Sequence, residues 1–183
     1  YILSKTPGNT VSNLSSSRAL KDVTEKHGCS HFASPVGEVH VVRVMKENKA
    51  VIGGEGNGGV IYPGMHYGRD ALTGAALFLT FLASQECTMS ELRKRYPEYV
   101  MSKNKVSLEP GTDIGVILEK VREKYREHSI NTEDGIKIDM PEGWIHLRKS
   151  NTEPIIRIYT EAGSKTVAEE LAKQVADLIS GLK

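Results

Sequence analysis

Residues 50–64 read Ala-Val-Ile-Gly-Gly-Glu-Gly-Asn-Gly-Gly-Val-Ile-Tyr-Pro-Gly. Short apolar runs flank a glycine cluster, which predicts a strand over 50–53, a loop over 54–59, and a further strand and turn from Val60 to Gly64. Gly54, Gly56 and Gly59 match G-x-G-x-x-G, yet a dinucleotide fingerprint must open a helix, and this stretch leads into a strand. No G-x-x-x-x-G-K followed by Ser or Thr occurs in the chain, which excludes a P-loop. What remains is a backbone able to approach a ligand closely, carrying two polar side chains, Glu55 and Asn57. A carboxylate accepts hydrogen bonds and an amide both accepts and donates, a pairing suited to hydroxyl groups. The bland alternative is a tight connection whose glycines serve turn geometry alone.

Upstream of the loop, Val11 to Leu14 reads as a strand. Ser15-Ser16-Ser17 offers N-caps for a helix bearing Ala19, Leu20, Val23 and His27 and stopped by Gly28, and His31 to Ala33 reads as a second strand. Val36 to Glu47 suits either element, since its valines favour a strand while its length and the spacing Val36, Val39, Arg43 favour a helix. Downstream, Asp70 to Ala83 is apolar almost all round, as a buried helix would be. Thr88 with Glu91 forms a capping box for a short helix ended by Pro97. From Tyr96 to Glu109 the text turns polar and mixed, and a domain boundary is expected near Glu98. Beyond it, Thr112 or Asp113 caps a helix with Ile114, Ile117, Leu118, Val121 and Tyr125 on one face. Three short strands follow, Ile136 to Met140, Trp144 to Leu147 and Ile155 to Tyr159. Ser164 then opens a last helix striped by Val167, Leu171, Val175, Leu178, Ile179 and Leu182. The expected fold class is α/β: a mixed-sheet α/β domain over 1–97, then a small α+β domain, a helix-flanked antiparallel sheet, over 98–183.

The 183 residues are 39% hydrophobic and 26% charged, an ordinary globular balance. With 24 basic against 23 acidic residues the formal net charge is +1, so no overall field gathers nucleic acid or anionic membrane, and any anion site must be local. No apolar run approaches the ~18–20 residues that span a bilayer. Cys29 and Cys87 are too few for a disulfide framework and suggest a reducing compartment, so a soluble, cytoplasmic protein is expected. The chain opens on Tyr1-Ile2-Leu3 like the tail of an element already under way, and reads as a piece cut from something longer. His27, Cys29 and His31 form the one metal-like cluster, but zinc needs a fourth group, and a helix running out into a strand is the simpler reading. His66 is a candidate acid or base, while Asp70 beside it is more simply a helix cap.

A second constellation is Arg148-Lys149-Ser150-Asn151-Thr152-Glu153-Pro154, followed by Arg157. It lies between two predicted strands, where backbone amides are free to face outward. Arg148 and Arg157 supply forked cationic donors; Ser150, Asn151 and Thr152 supply neutral ones. Such convergent donors are what a phosphate dianion requires, each charge-assisted hydrogen bond being worth roughly 1.5–3 kcal/mol. The bland alternative is a Ser/Asn/Thr turn beside surface arginines.

Together, the glycine loop with Glu55 and the Arg148-x-Ser150-Asn151-Thr152-Glu153-Pro154 loop resemble the α-D-phosphohexomutase family. Val36-Gly37-Glu38 before the first loop and Gly68-Arg69-Asp70 after it support the likeness. That family includes phosphoglucosamine, phosphomannose and phosphoglucose mutases and is built from four domains. The likeness covers nearly the whole chain, as most of the third domain and all of the fourth. By this resemblance Glu55 and Asn57 fall where the third-domain loop reads sugar hydroxyls, and Arg148, Ser150, Asn151, Thr152 and Arg157 fall in the fourth-domain phosphate clamp. The family pattern commonly has Ser at the place of Asn57 and His at the place of Gly59. The loop carrying the phosphorylated serine and the Asp-Gly-Asp-Gly-Asp-Arg-like magnesium site belong to the first two domains, and no such sequence occurs here. The implied function is the substrate-recognition half of a mutase interconverting hexose or hexosamine 6-phosphate and 1-phosphate. It works through a phosphoserine and a bisphosphate, with Mg2+ held only in the full-length enzyme and no turnover by this piece alone. The implied partners are the sugar phosphate and the N-terminal domains of the same polypeptide. The alternative from another class is a free-standing, non-catalytic sugar-phosphate binding module.

Overall fold

The computed structural model describes residues 1–109, 111–150 and 153–181, and the chain divides into two units, Tyr1–Glu98 and Tyr99–Lys183. In the first, α1 (Ile2–Lys5) leads to β1 (Thr10–Asn13), α2 (Ala19–Lys26), β2 (His31–Ser34), α3 (Glu38–Glu47), β3 (Ile52–Glu55), β4 (Gly59–Ile61), α4 (Ala71–Ser84) and α5 (Met89–Arg93). The sheet order is β2-β1-β3-β4, with β1 parallel to both neighbours and β4 antiparallel to β3.

The ambiguous stretch 36–47 resolves to a helix because Val41, Val44 and Met45 share one face at helical spacing and bury against Val11 and Ile61. The serines before α2 act less directly than expected. Arg18 is its N-cap but its side chain does not cap the helix, while Ser17 Oγ accepts from the Ala19 amide at 3.2 Å. Near the glycine cluster, β3 starts later than expected and runs through Glu55, so the loop shrinks to residues 56–58 of a hairpin in which Glu55 pairs with Gly59. Glycine at 53 and 54 is therefore strand, and its ladder to β4 overrides its low strand propensity.

Asp70 caps α4 as read from sequence, its carboxylate accepting from the Thr73 amide at 2.9 Å. The expected burial of this helix is overturned, however. No residue of α4 is buried, and Leu72 stands 84% exposed. One face meets β4, where Val60 packs against Gly74, and Phe81 meets the Tyr1 ring at 5.7 Å between centroids, while Leu72, Phe78 and Leu79 stay exposed. Both halves of the Thr88–Glu91 capping box are present at α5.

The second unit holds β5 (Val100–Ser107), α6 (Ile114–Lys124), β6 (Ser129–Asn131), β7 (Ile136–Met140), β8 (Gly143–Lys149), β9 (Ile155–Ala162) and α7 (Lys165–Ser180). Five strands make an antiparallel sheet in the order β5-β9-β8-β7-β6, two more than expected from sequence. Both extra strands are edges. The polar, Lys-bearing text of β5 lacks apolar alternation because an edge strand is held by its ladder to β9, register Val100↔Ala162 to Ser107↔Ile155. Helices α6 and α7 cover one face, where Ile138, Ile145, Leu147 and Ile158 pack with Ile117, Val121, Leu171, Val175 and Ile179. Leu182, read as part of the α7 stripe, lies outside the described residues. Asp113 and Ser164 cap α6 and α7, as their residue types predict. No helix of the described residues is long and apolar enough to cross a membrane.

Candidate functional site

Each unit presents one of the two constellations. In the first, β1 lies between β2 and β3, so the chain leaves β1 toward one side and returns on the other. In open α/β sheets the crevice at the carboxyl ends of two such strands is where ligands sit. Asn13 ends β1 and Glu55 ends β3, so both side chains reach this crevice.

The Glu55 residue is only 9% exposed and heavily engaged. Its Oε1 accepts from Asn13 Nδ2 at 3.0 Å and from the Gly37 amide at the start of α3 at 3.1 Å. Asn13 is itself fixed, its Oδ1 accepting from the Ser15 amide and from Ser16 Oγ at 2.8 Å. Oε2 lies 3.7 Å from a terminal nitrogen of Arg69. Asn57, by contrast, is exposed at the hairpin tip. Its Oδ1 accepts from the Gly59 amide at 3.1 Å, and its NH2 makes no hydrogen bond to a described residue. Asn13, Gly37 and Arg69 were not singled out as site residues from sequence, because each reaches Glu55 only through the fold. The capping Asp of the Gly68-Arg69-Asp70 motif faces His66 Nε2 at 3.3 Å, and the Arg69–Glu38 pair lowers the Glu38 pKa through hydrogen bonds from the Arg69 amide and guanidinium. His31, read as part of a metal-like cluster, has its ring between Thr10 Oγ1 and Ser12 Oγ at 2.8 and 3.2 Å.

In the second unit, Arg148 on β8 stands directly opposite Arg157 on β9, which in turn stands opposite Lys105 on β5. Strand alternation puts all three on the sheet face away from α6 and α7, since Leu147, Ile156 and Ile158 point into the core. Like charges in register repel. Asp134 offsets part of this, its Oδ2 lying 2.9 Å from Arg148 Nε, a buried atom that nonetheless makes no aligned hydrogen bond. Next to Arg148 opens a cavity of about 490 Å3, bordered also by Thr112, Asp113, Gly115, Asp134 and Lys149. Ser150 is buried, and its amide donates to the Ile155 carbonyl at 3.1 Å. Asn151 and Thr152 lie outside the described residues. Lys105 and Asp134 carried no signal in the sequence; strand register brings Lys105 here, and the turn between β6 and β7 brings Asp134.

Comparison with known proteins bears on both units. Residues 1–99 match the family described as phosphoglucomutase/phosphomannomutase, alpha/beta/alpha domain III. Residues 103–178 match phosphoglucomutase/phosphomannomutase, C-terminal domain. A phosphoglucosamine/phosphogalactosamine mutase of Sulfurisphaera tokodaii is 36% identical over 173 residues, 93% of this chain and 38% of that protein. Among solved structures, a phosphoglucomutase/phosphomannomutase family protein of Burkholderia thailandensis superposes with a TM-score of 0.80 at 24% identity, over 98% of this chain and 39% of the other. An N-acetylphosphoglucosamine mutase of Aspergillus fumigatus, solved with GlcNAc-6P and magnesium, gives 0.65 at 16% identity, over 96% of this chain and 39% of the other. These two likenesses concern the fold. The chain thus spans about two fifths of the length of its relatives, matching their last two domains. With family matches in sequence across both units, the chain belongs to the phosphoglucomutase/phosphomannomutase family.

Proposed function

We propose that this chain is the substrate-recognition half of a cytoplasmic phosphohexomutase of carbohydrate metabolism. Residues 1–97 act as the sugar-reading third domain and 98–183 as the phosphate-holding C-terminal domain. Glu55 and Asn57 bind sugar hydroxyls; Arg148, Ser150, Asn151, Thr152 and Arg157 hold the phosphate that is not being transferred. In the whole polypeptide a phosphoserine outside this chain passes its phosphoryl group to the sugar phosphate, and the resulting bisphosphate returns its other phosphate to the serine. Such transfers depend on positioning and charge stabilisation, and this chain's residues supply the positioning. Magnesium belongs with the domains that carry the phosphoserine. Among the described residues no group of three or more His, Cys, Asp or Glu side chains stands together as a metal site. The two cysteines are unpaired, which suits a reducing compartment. The partners are a hexose or hexosamine phosphate and the N-terminal domains of the same polypeptide, with no nucleic acid and no membrane.

The observation that carries this reading is the opposed row Lys105, Arg157 and Arg148, three cations in register, of which Arg148 is ion-paired to Asp134. Repulsion of that kind is relieved by a bound dianion. The test is the kcat/KM of the intact polypeptide on glucosamine, mannose and glucose 1-phosphates. Arg148→Ala should lower it about ten- to a hundredfold on every sugar, as loss of one or two charge-assisted hydrogen bonds does. An unchanged kcat/KM would remove Arg148 from the clamp.

A further inference from the structure

Arg69 lies in the segment between β4 and α4, and two contacts fix it. Its backbone amide donates to Glu38 Oε1 at 2.9 Å and its Nε to Glu38 Oε2 at 2.7 Å, across 31 residues of sequence. Its aliphatic stem then crosses Gly59. A Cβ there would lie 2.8 Å from Arg69 Cδ and 3.2 Å from Cγ, so the stem occupies the space a side chain at 59 would fill. Gly59 is the strand partner of Glu55, and the arginine is thereby brought over the carboxylate from the same sheet face.

The guanidinium does not close on Glu55. Its terminal nitrogen stops 3.7 Å from Oε2, whereas a committed arginine–carboxylate hydrogen bond is about 2.7–2.9 Å. The Glu38 clamp holds it at this stand-off. Oε1 of Glu55 is already taken by Asn13 and Gly37, so Oε2 is the acceptor turned toward Arg69. The two terminal nitrogens of Arg69 make no hydrogen bond to a described residue, and half of the side chain is exposed. A fixed acceptor and a fixed, always-charged donor thus stand side by side at the carboxyl end of the parallel strands. A hydroxyl both donates and accepts, so two neighbouring hydroxyls match this pair group for group.

We propose that Arg69 is a substrate-binding residue, the hydrogen-bond donor that works with Glu55 to read a vicinal diol of the hexose phosphate. Glu38 is a positioning residue that sets the stand-off, and glycine at 59 admits the arginine. This rests on the reading of Glu55 as a sugar-binding group. The experiment compares the intact polypeptide with its Arg69→Ala, Arg69→Lys, Gly59→Ala and Glu55→Gln variants. Substrates are glucose 1-phosphate and its 2-deoxy, 3-deoxy and 4-deoxy analogues. Arg69→Ala should lower kcat/KM on the parent sugar about ten- to a hundredfold, and the loss should shrink on the analogue lacking the hydroxyl that Arg69 holds. Gly59→Ala crowds the stem, keeps every charge and also meets Asn57 Oδ1 at 3.3 Å, so it should lower kcat/KM as well, and Arg69→Lys carries the selective test if Arg69→Ala does not fold. Arg69→Lys should recover only part of the loss, because a point charge cannot take both the Glu38 clamp and the diol. A loss equal on all four substrates, or no loss, overturns the proposal. If Glu55→Gln changes nothing on any sugar, the sugar-site reading itself fails, a result separate from either outcome at Arg69.

Discussion

His146 sits on β8 two residues before Arg148, 1% exposed, and burial pushes its pKa from 6.5 down to about 4. Its Nε2 donates to the Asp134 carbonyl at 2.8 Å, and the Asp134 carboxylate pairs with Arg148, so the histidine helps fix the segment that orients the arginine. In the unfolded chain this imidazole takes up a proton below pH 6.5, whereas in the folded chain it stays neutral to about pH 4. The unfolded state therefore binds more protons in that window, and stability falls as pH drops through it, by about 3 kcal/mol in all. Trp144, the only tryptophan of the chain and fully buried, reports this unfolding. Urea midpoints followed by its fluorescence should decline from pH 7 to pH 4.5, and His146→Gln should flatten that decline. Parallel declines would assign the effect elsewhere. Gly135 is a second decisive residue. Its φ is +74°, and a Cβ would strike the Leu147 carbonyl, so Gly135→Ala should cost about 1–3 kcal/mol in the same assay. Glu55 and Arg148 stood out in the sequence because residue type and local spacing carry their chemistry. Arg69, quoted there only within Gly68-Arg69-Asp70, and Asp134 did not stand out as site residues, because their partners lie 31 and 14 residues away and only the fold brings them together.

Among the elements, α4 departs most from its sequence. Periodicity distinguishes an amphipathic helix from one apolar all round, but it cannot say whether the surroundings of an all-apolar helix are present. Leu72 and Leu79 are 84% and 61% exposed, with Phe78 at 42% beside them. Contiguous exposed apolar surface of this kind drives association. The 183-residue chain should accordingly bind a hydrophobic dye and self-associate with rising concentration, and Leu72→Glu with Leu79→Gln should reduce both without lowering the melting temperature. Monomeric behaviour of the parent chain in sedimentation would contradict this. The strands show the opposite asymmetry. β7, β8 and β9 were legible because their inner positions alternate with polar ones, while β5 and β6 were not, because an edge strand is specified by its partner's free ladder groups.

Across the whole molecule the two units are unequal. Among the described residues, sixteen buried apolar ones join one core in the second unit, where two helices cover one face of a five-stranded sheet; six form the corresponding core of the first. Buried apolar area sets the scale of stability, so the first unit should be the weaker. Hydrogen exchange on the 183-residue chain should find the slowest amides in β7, β8, β9 and α7, with β1 and β3 exchanging at lower free energy. Equal protection in both sheets would mean that something besides the buried cores sustains the first unit. Phosphate adds a further discrimination. A ligand that binds only the folded form raises stability by RT ln(1 + [L]/Kd), about 1.4 kcal/mol at ten times Kd. Inorganic phosphate held by Arg148 and Arg157 should therefore slow exchange in β8 and β9 while leaving β1 and β3 unchanged, and Arg148→Ala should abolish the effect. A uniform slowing of both sheets would point instead to general salt exclusion, because only a bound anion singles out the strands that carry the opposed arginines.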